Sequence, residues 1–191
     1  MRSPFNKLFY LAIPKNASTM IRDELLKMGW FHELLDEHPV VEPDQKIIVV
    51  LRDPAQRWIS GITEFLVLYY PEFDQLSEDM LHLICTHITF DDHTEKQIYF
   101  LNSLTTSRCV FFRFSPNLGR EIAHFLETRK IKNNFAGAPV VYSAASSDQH
   151  MHFKNQITRF LQKNPKYLQG IMKHYKDDYD FIRQVKFYGT Y

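Results

Sequence analysis

The chain has 191 residues, 45% of them apolar and 24% charged, enough for a sizeable core and ordinary for a globular protein. Its formal net charge of +1 excludes the global basic field of a nucleic-acid binder, so any anion site must be local. Two cysteines, Cys85 and Cys109, are too few for a disulfide framework and read as buried thiols. No leader-like segment opens the sequence, and no apolar run reaches the roughly 18 residues that would span a bilayer, so a soluble, cytoplasmic protein without a membrane partner is expected.

Four apolar runs read as buried parallel strands: Lys7 to Ile13, Lys46 to Leu51, Cys109 to Phe114 and Pro139 to Tyr142, with a further one near Trp30 to Leu34. Helical patterns alternate with them. Ser18 to Met28 stops at Gly29, and Pro54 to Tyr69 begins with proline in its first turn. Ser77 to His87, His93 to Leu104 and Asn117 to Arg129 follow, and Phe153 to Val185 forms a helical tail with one break at Asn164-Pro165. This alternation predicts one three-layer α/β domain over 1–191, a parallel sheet flanked by helices. The tail, with Lys173, His174, Lys176 and Arg183 among acids, reads as a solvated helical face.

In such sheets ligands bind beyond the carboxyl ends of the strands, and the most polar chemistry lies at two of those ends. After the first strand comes Pro14-Lys15-Asn16-Ala17-Ser18-Thr19, where a loop carrying a lysine opens a helix. Helix-start amides have no intrahelical partners and point along the positive end of the dipole, so Asn16, Ala17, Ser18 and Thr19 offer an anion cradle to which Lys15 adds a charge. Pro14 fixes the exit from the strand. The glycines of GxxxxGK[ST] are missing, so a wide triphosphate loop is not expected. After the second strand comes Arg52-Asp53-Pro54, with Arg57 and Ser60 in the following helix. Arg52 and Ser60 can converge on one further phosphate, the arginine offering a forked pair of donors.

Together the two motifs, PK-x-A-S-T and RDP-x-x-R-x-x-S, resemble the cofactor motifs of the sulfotransferase superfamily, most closely carbohydrate sulfotransferases of the heparan sulfate 2-O-sulfotransferase type. The resemblance covers the first sixty or so residues well and continues more weakly through His93 to Gln97 and Tyr175 to Phe181. It implies a P-loop-like fold and transfer of a sulfuryl group from 3′-phosphoadenosine-5′-phosphosulfate (PAPS), leaving PAP, to an acceptor hydroxyl with no metal required. A carbohydrate is the expected acceptor, and the small size of the chain favours a small or simple one. Lys15 with the Asn16–Thr19 loop would bind the 5′-phosphosulfate, and Arg52 with Ser60 the 3′-phosphate.

The resemblance also implies a base between the two motifs. His32, twenty residues before Arg52, and His38, just before Pro39, are both candidates, with His32 favoured. Asp91-Asp92-His93 with Gln97 resembles an acceptor-side segment. His93 and Gln97, four apart, would share a helix face, and Asp91 or Asp92 would cap that helix. The loop from Ser143 to Asp148 corresponds to one that closes over the nucleotide in that superfamily. The histidines show no zinc pattern with a matching cysteine pair. Two other readings remain open: a degenerate P-loop kinase or nucleotide hydrolase, and a non-catalytic PAP-binding protein of the same fold. The first lacks GK[ST] and an obvious metal-binding carboxylate after a strand.

Overall fold

A computed structural model describes residues 1–3, 7–31, 44–102, 104–135 and 148–189. The chain divides into two compact units. One comprises Met1–Leu51, Phe100–Val141 and Val185–Tyr191, and the other Arg52–Tyr99 and Tyr142–Gln184.

The first unit holds a three-stranded parallel sheet in the order β1 (Leu8–Leu11), β2 (Lys46–Leu51), β3 (Cys109–Arg113), making the protein α/β. Phe9 pairs with Ile47, and Val49 with Phe111, so the strands run in step to one carboxyl edge. Leu8, Tyr10, Ile48, Val50 and Phe112 point to one face and pack with residues of α1 (Ser18–Lys27) and α4 (Leu118–Glu127). Residues of the alternate face, Phe9, Ile47, Val49 and Leu51, are buried as well. Burial of both faces explains the unbroken apolar runs that mark these strands in the sequence. Gly29 ends the α1 segment at φ 79, a left-handed angle that a side chain would resist.

The expected strand at Pro139 to Tyr142 lies outside the described residues. Of the stretch near Trp30, Trp30 has no regular structure and Phe31 makes an isolated antiparallel bridge with Arg2.

The second unit is helical. α2 (Pro54–Tyr69), α3 (Glu78–His87), α5 (Asp148–Lys163), α6 (Pro165–His174) and α7 (Lys176–Gln184) share a core around Trp58, Ile62, Phe153, Ile157 and Tyr175. Two expectations need correction here. The tail breaks twice, at Asn164 and again at Tyr175; Lys173, Lys176 and Arg183 are exposed as expected, while Tyr175 and Asp178 are buried on the opposite side. His93 to Leu104 is not one helix: Asp92 to Thr94 form a turn, and a 3₁₀ helix spans Gln97–Leu101. Asp91 does cap locally, taking the His93 amide at 2.9 Å, but it caps a turn. His93 and Gln97 therefore do not share a helix face.

That turn crosses α2 at Gly61, where an added Cβ would lie 2.1 Å from the His93 carbonyl oxygen. Gly61→Ala must push the turn away, and overpacking of this kind costs about 1–3 kcal/mol. Thermal denaturation should show a fall of about 3–10 °C, with faster amide exchange over residues 91–97. An unchanged midpoint would mean the turn does not rest on α2.

Candidate functional site

In the first unit, β1 delivers the chain into Pro14–Ala17. Lys15 (φ 66) and Ala17 (φ 62) both adopt the left-handed conformation. For residues other than glycine or asparagine this costs roughly 1–2 kcal/mol each, and it persists only where neighbours enforce it. Asn16, between them, supplies the enforcement. It is fully buried, and its side-chain Nδ2 donates to the Val50 carbonyl at 2.7 Å, tying the loop to the end of β2. Asn16's own amide donates to the Ile13 carbonyl at 3.3 Å. Its main-chain N–H, expected in the cradle, is thus spent on the turn, and Asn16 acts as the anchor.

Ala17 stands at the N-cap of α1 and makes no side-chain cap, and the first helical bond runs from the Ile21 amide to the Ala17 carbonyl. Ser18 and Thr19 head the first turn, where amides have no intrahelical acceptor, and both are half-buried. Successive main-chain N–H groups in such an alternating turn form an anion-binding concavity. Lys15 is also half-buried.

In the second unit, Arg52 follows the last residue of β2 and is buried. α2 begins differently from α1. Asp53 takes the Gln56 amide at 2.9 Å, Tyr179 takes the Ala55 amide at 3.3 Å, and Pro54 has none to offer. Its first turn is satisfied by protein, so an anion near it must be met by side chains. Ser60, two turns in, is buried.

Arg57, noted in the same motif, is almost fully buried. Its Nη2 donates to the Asp92 carbonyl at 3.0 Å and its Nη1 donates to the Glu95 carbonyl, so it holds the 92–95 turn. Burial pushes its guanidinium below the usual range, against the opposing pull of Tyr175, Asp178 and Glu95. Upstream, Ile88 (φ 64) is a strained β-branched residue whose carbonyl accepts the Trp58 indole N–H at 2.7 Å.

His93 donates from Nδ1 to Asp91 Oδ2 at 2.8 Å, its side chain 30% exposed. Gln97 is turned inward: its Oε1 accepts from the Arg52 amide at 3.0 Å, and its Nε2 donates to the Arg52 carbonyl at 2.9 Å. Rather than lying open to an acceptor, both ends of its amide are engaged with the main chain of Arg52. Asp178, which the sequence reading overlooked, completes the arrangement by accepting from the Gln97 and Ile98 amides at 2.9 and 3.0 Å. Tyr175 donates from its hydroxyl to the Thr94 carbonyl, 81 residues away in the chain. The signal was present in the sequence: Tyr175, Asp178 and Tyr179 fall at helical spacing, an acid between two aromatics.

His32, His38 and the 143–147 segment lie outside the described residues. Among the described residues no group of three or more His, Cys, Asp or Glu could hold a metal ion, and no helix is long and apolar enough to cross a membrane. Both cysteines are free; Cys85 is buried and Cys109 only half-buried, and burial pushes their thiols up to about 12 and about 11. A cleft of about 1010 Å³ in the first unit is lined by Lys27, Trp30, Glu127 and Lys130 among others. It lies by the far end of α1 from Ser18 and Thr19 and takes no part in the arrangement above.

In comparisons with known proteins, no family model, no curated protein and no solved structure matched the chain.

Proposed function

We propose that this protein is a PAPS-dependent sulfotransferase with a P-loop-like cofactor site. The observation that carries the reading is the glycine-free loop after β1, in which two left-handed residues, Lys15 and Ala17, lead into the uncapped start of α1. Ordinary helix starts do not keep such strain, and an anion bound there returns a use for it. The sequence then supplies the second anion reader, Arg52 with Ser60, at the start of the segment that follows β2.

The resemblance implies a division of labour among these residues. The amides of Ala17, Ser18 and Thr19 would hold the 5′-phosphosulfate, with the two hydroxyls beside them. Arg52 and Ser60 would hold the 3′-phosphate, Arg52 by charge-assisted hydrogen bonds. When bound, the cofactor supplies a sulfuryl group to an acceptor oxygen and departs as PAP. Lys15 would stabilise the negative charge that gathers on the departing phosphate, the electrostatic contribution that dominates transfers of this type. His32 or His38 would take the acceptor proton, and His93 would contact the acceptor on the carbohydrate side.

The test is a transfer assay with radiolabelled PAPS against a panel of hydroxyl acceptors, mono- and oligosaccharides first. Label should appear on at least one carbohydrate, without added metal. Binding of PAP with no transfer to any acceptor would favour a non-catalytic protein of the same fold, and failure to bind PAP would remove the reading.

A further inference from the structure

We propose that Gln97 and Asp178 are positioning residues for Arg52, fixing its main chain so that the side chain reads the 3′-phosphate. This rests on the cofactor reading above. The observation is a two-step clasp within the second unit. One primary amide engages both main-chain polar atoms of Arg52, accepting its N–H at 3.0 Å and donating to its carbonyl at 2.9 Å. The backbone on which that amide is mounted is itself held, because the Gln97 and Ile98 N–H groups both donate to the Asp178 carboxylate, at 2.9 and 3.0 Å. Gln97 is 1% exposed and Asp178 0%.

The residue types are those the geometry demands. Facing one N–H and one C=O at once suits a primary amide, which carries an acceptor and a donor side by side in one plane and stays neutral. Facing two N–H groups needs two acceptors, which a carboxylate provides and an asparagine halves. Burying that carboxylate is costly, and burial raises its pKa against the pull of the two amides and of Arg57. A turn that needed only to fold could be built with neutral caps. What this arrangement adds is a rigid origin for Arg52, and an ångström of misplacement in a charge reader is expensive. Both residues act on Arg52 through its backbone, so their effect should be specific to the group that Arg52 reads.

The experiment compares two ligands by calorimetry: PAP, and AMP, which lacks the 3′-phosphate. Gln97→Met removes both hydrogen bonds at similar volume, and Asp178→Asn removes one acceptor. Each should weaken PAP tenfold or more and leave AMP within twofold. The double variant Arg52→Ala/Gln97→Met should bind PAP no more weakly than Arg52→Ala alone, because the effect passes through Arg52. Equal losses for PAP and AMP, or additive losses in the double variant, would overturn the inference and leave the cofactor reading standing. If Gln97→Met fails to fold, the milder Asp178→Asn decides by the same PAP-to-AMP comparison. A wild-type protein that binds AMP as well as PAP would overturn the role of Arg52 and this inference together. A wild-type protein that binds neither would overturn the cofactor reading itself.

Discussion

Lys15→Ala should lower sulfuryl transfer by about 10²–10³-fold, the loss typical when one preorganised charge-stabilising group is removed. The fold should survive, because the Asn16 side chain, which anchors the loop to the Val50 carbonyl, is left in place. Circular dichroism and the melting temperature should therefore stay close to wild type, while the PAPS turnover number collapses. PAP binding should weaken much less than turnover, because the lysine's contribution grows as charge builds on the departing phosphate. Transfer within tenfold of wild type would remove Lys15 from the mechanism. A parallel loss of melting temperature would instead identify it as part of the loop's scaffold.

Arg52→Ala should have the opposite kinetic signature. A charge-assisted hydrogen bond contributes roughly 1.5–3 kcal/mol, so losing a forked pair should raise the PAP dissociation constant by about 100-fold. Turnover at saturating PAPS should fall by less than about tenfold, since the 3′-phosphate is remote from the bond that breaks. Calorimetry with PAP and steady-state kinetics over a wide PAPS range separate the two effects. A fall in turnover with an unchanged KM would place Arg52 at the reacting group instead. The main-chain clasp made by Gln97 does not depend on the Arg52 side chain, so this substitution should leave the turn at residues 91–97 in place.

Much of this architecture was legible in the sequence. The Lys46–Leu51 strand and the Pro54–Tyr69 helix match their expected bounds. The strand is an unbroken apolar run buried on both faces, and the helix announces itself with an aspartate cap and a first-turn proline. The failures have local and long-range causes. Between His93 and Gln97 the spacing suits a helix, but side chains offer the backbone better partners nearby. Asp91 takes the His93 amide, and the Thr94 hydroxyl takes the Phe90 and Asp91 amides at 2.7 and 3.0 Å. Short polar side chains compete with helical bonding in this way.

The Gln97 amide, which a helix would give to the His93 carbonyl, goes to Asp178, 81 residues away. The spacing around Asp178 marks an inward-facing side of its helix but names no partner, and the clasp on Arg52, 45 residues from Gln97, was hidden for the same reason. The break at Tyr175 has a similar origin, because that side chain turns into the core and donates to Thr94.

At the site, residue types were readable but conformation was not. Neither Lys15 nor Ala17 advertises positive φ as glycine would, and the strain became visible only in the folded loop. Asn16 was expected to offer its amide, and its side chain proved to be the useful part.

The most direct measurement is thermal denaturation with PAP in the absence of magnesium, set against ATP with magnesium. At a hundred times its dissociation constant, a ligand specific for the folded state adds about 2.7 kcal/mol. For a chain of this size that corresponds to a rise of about 5–10 °C in melting temperature. A nucleotide reader with two separate phosphate sites and no triphosphate loop predicts this rise with PAP and none with ATP and magnesium. Stabilisation by ATP and magnesium, with no response to PAP, would contradict it.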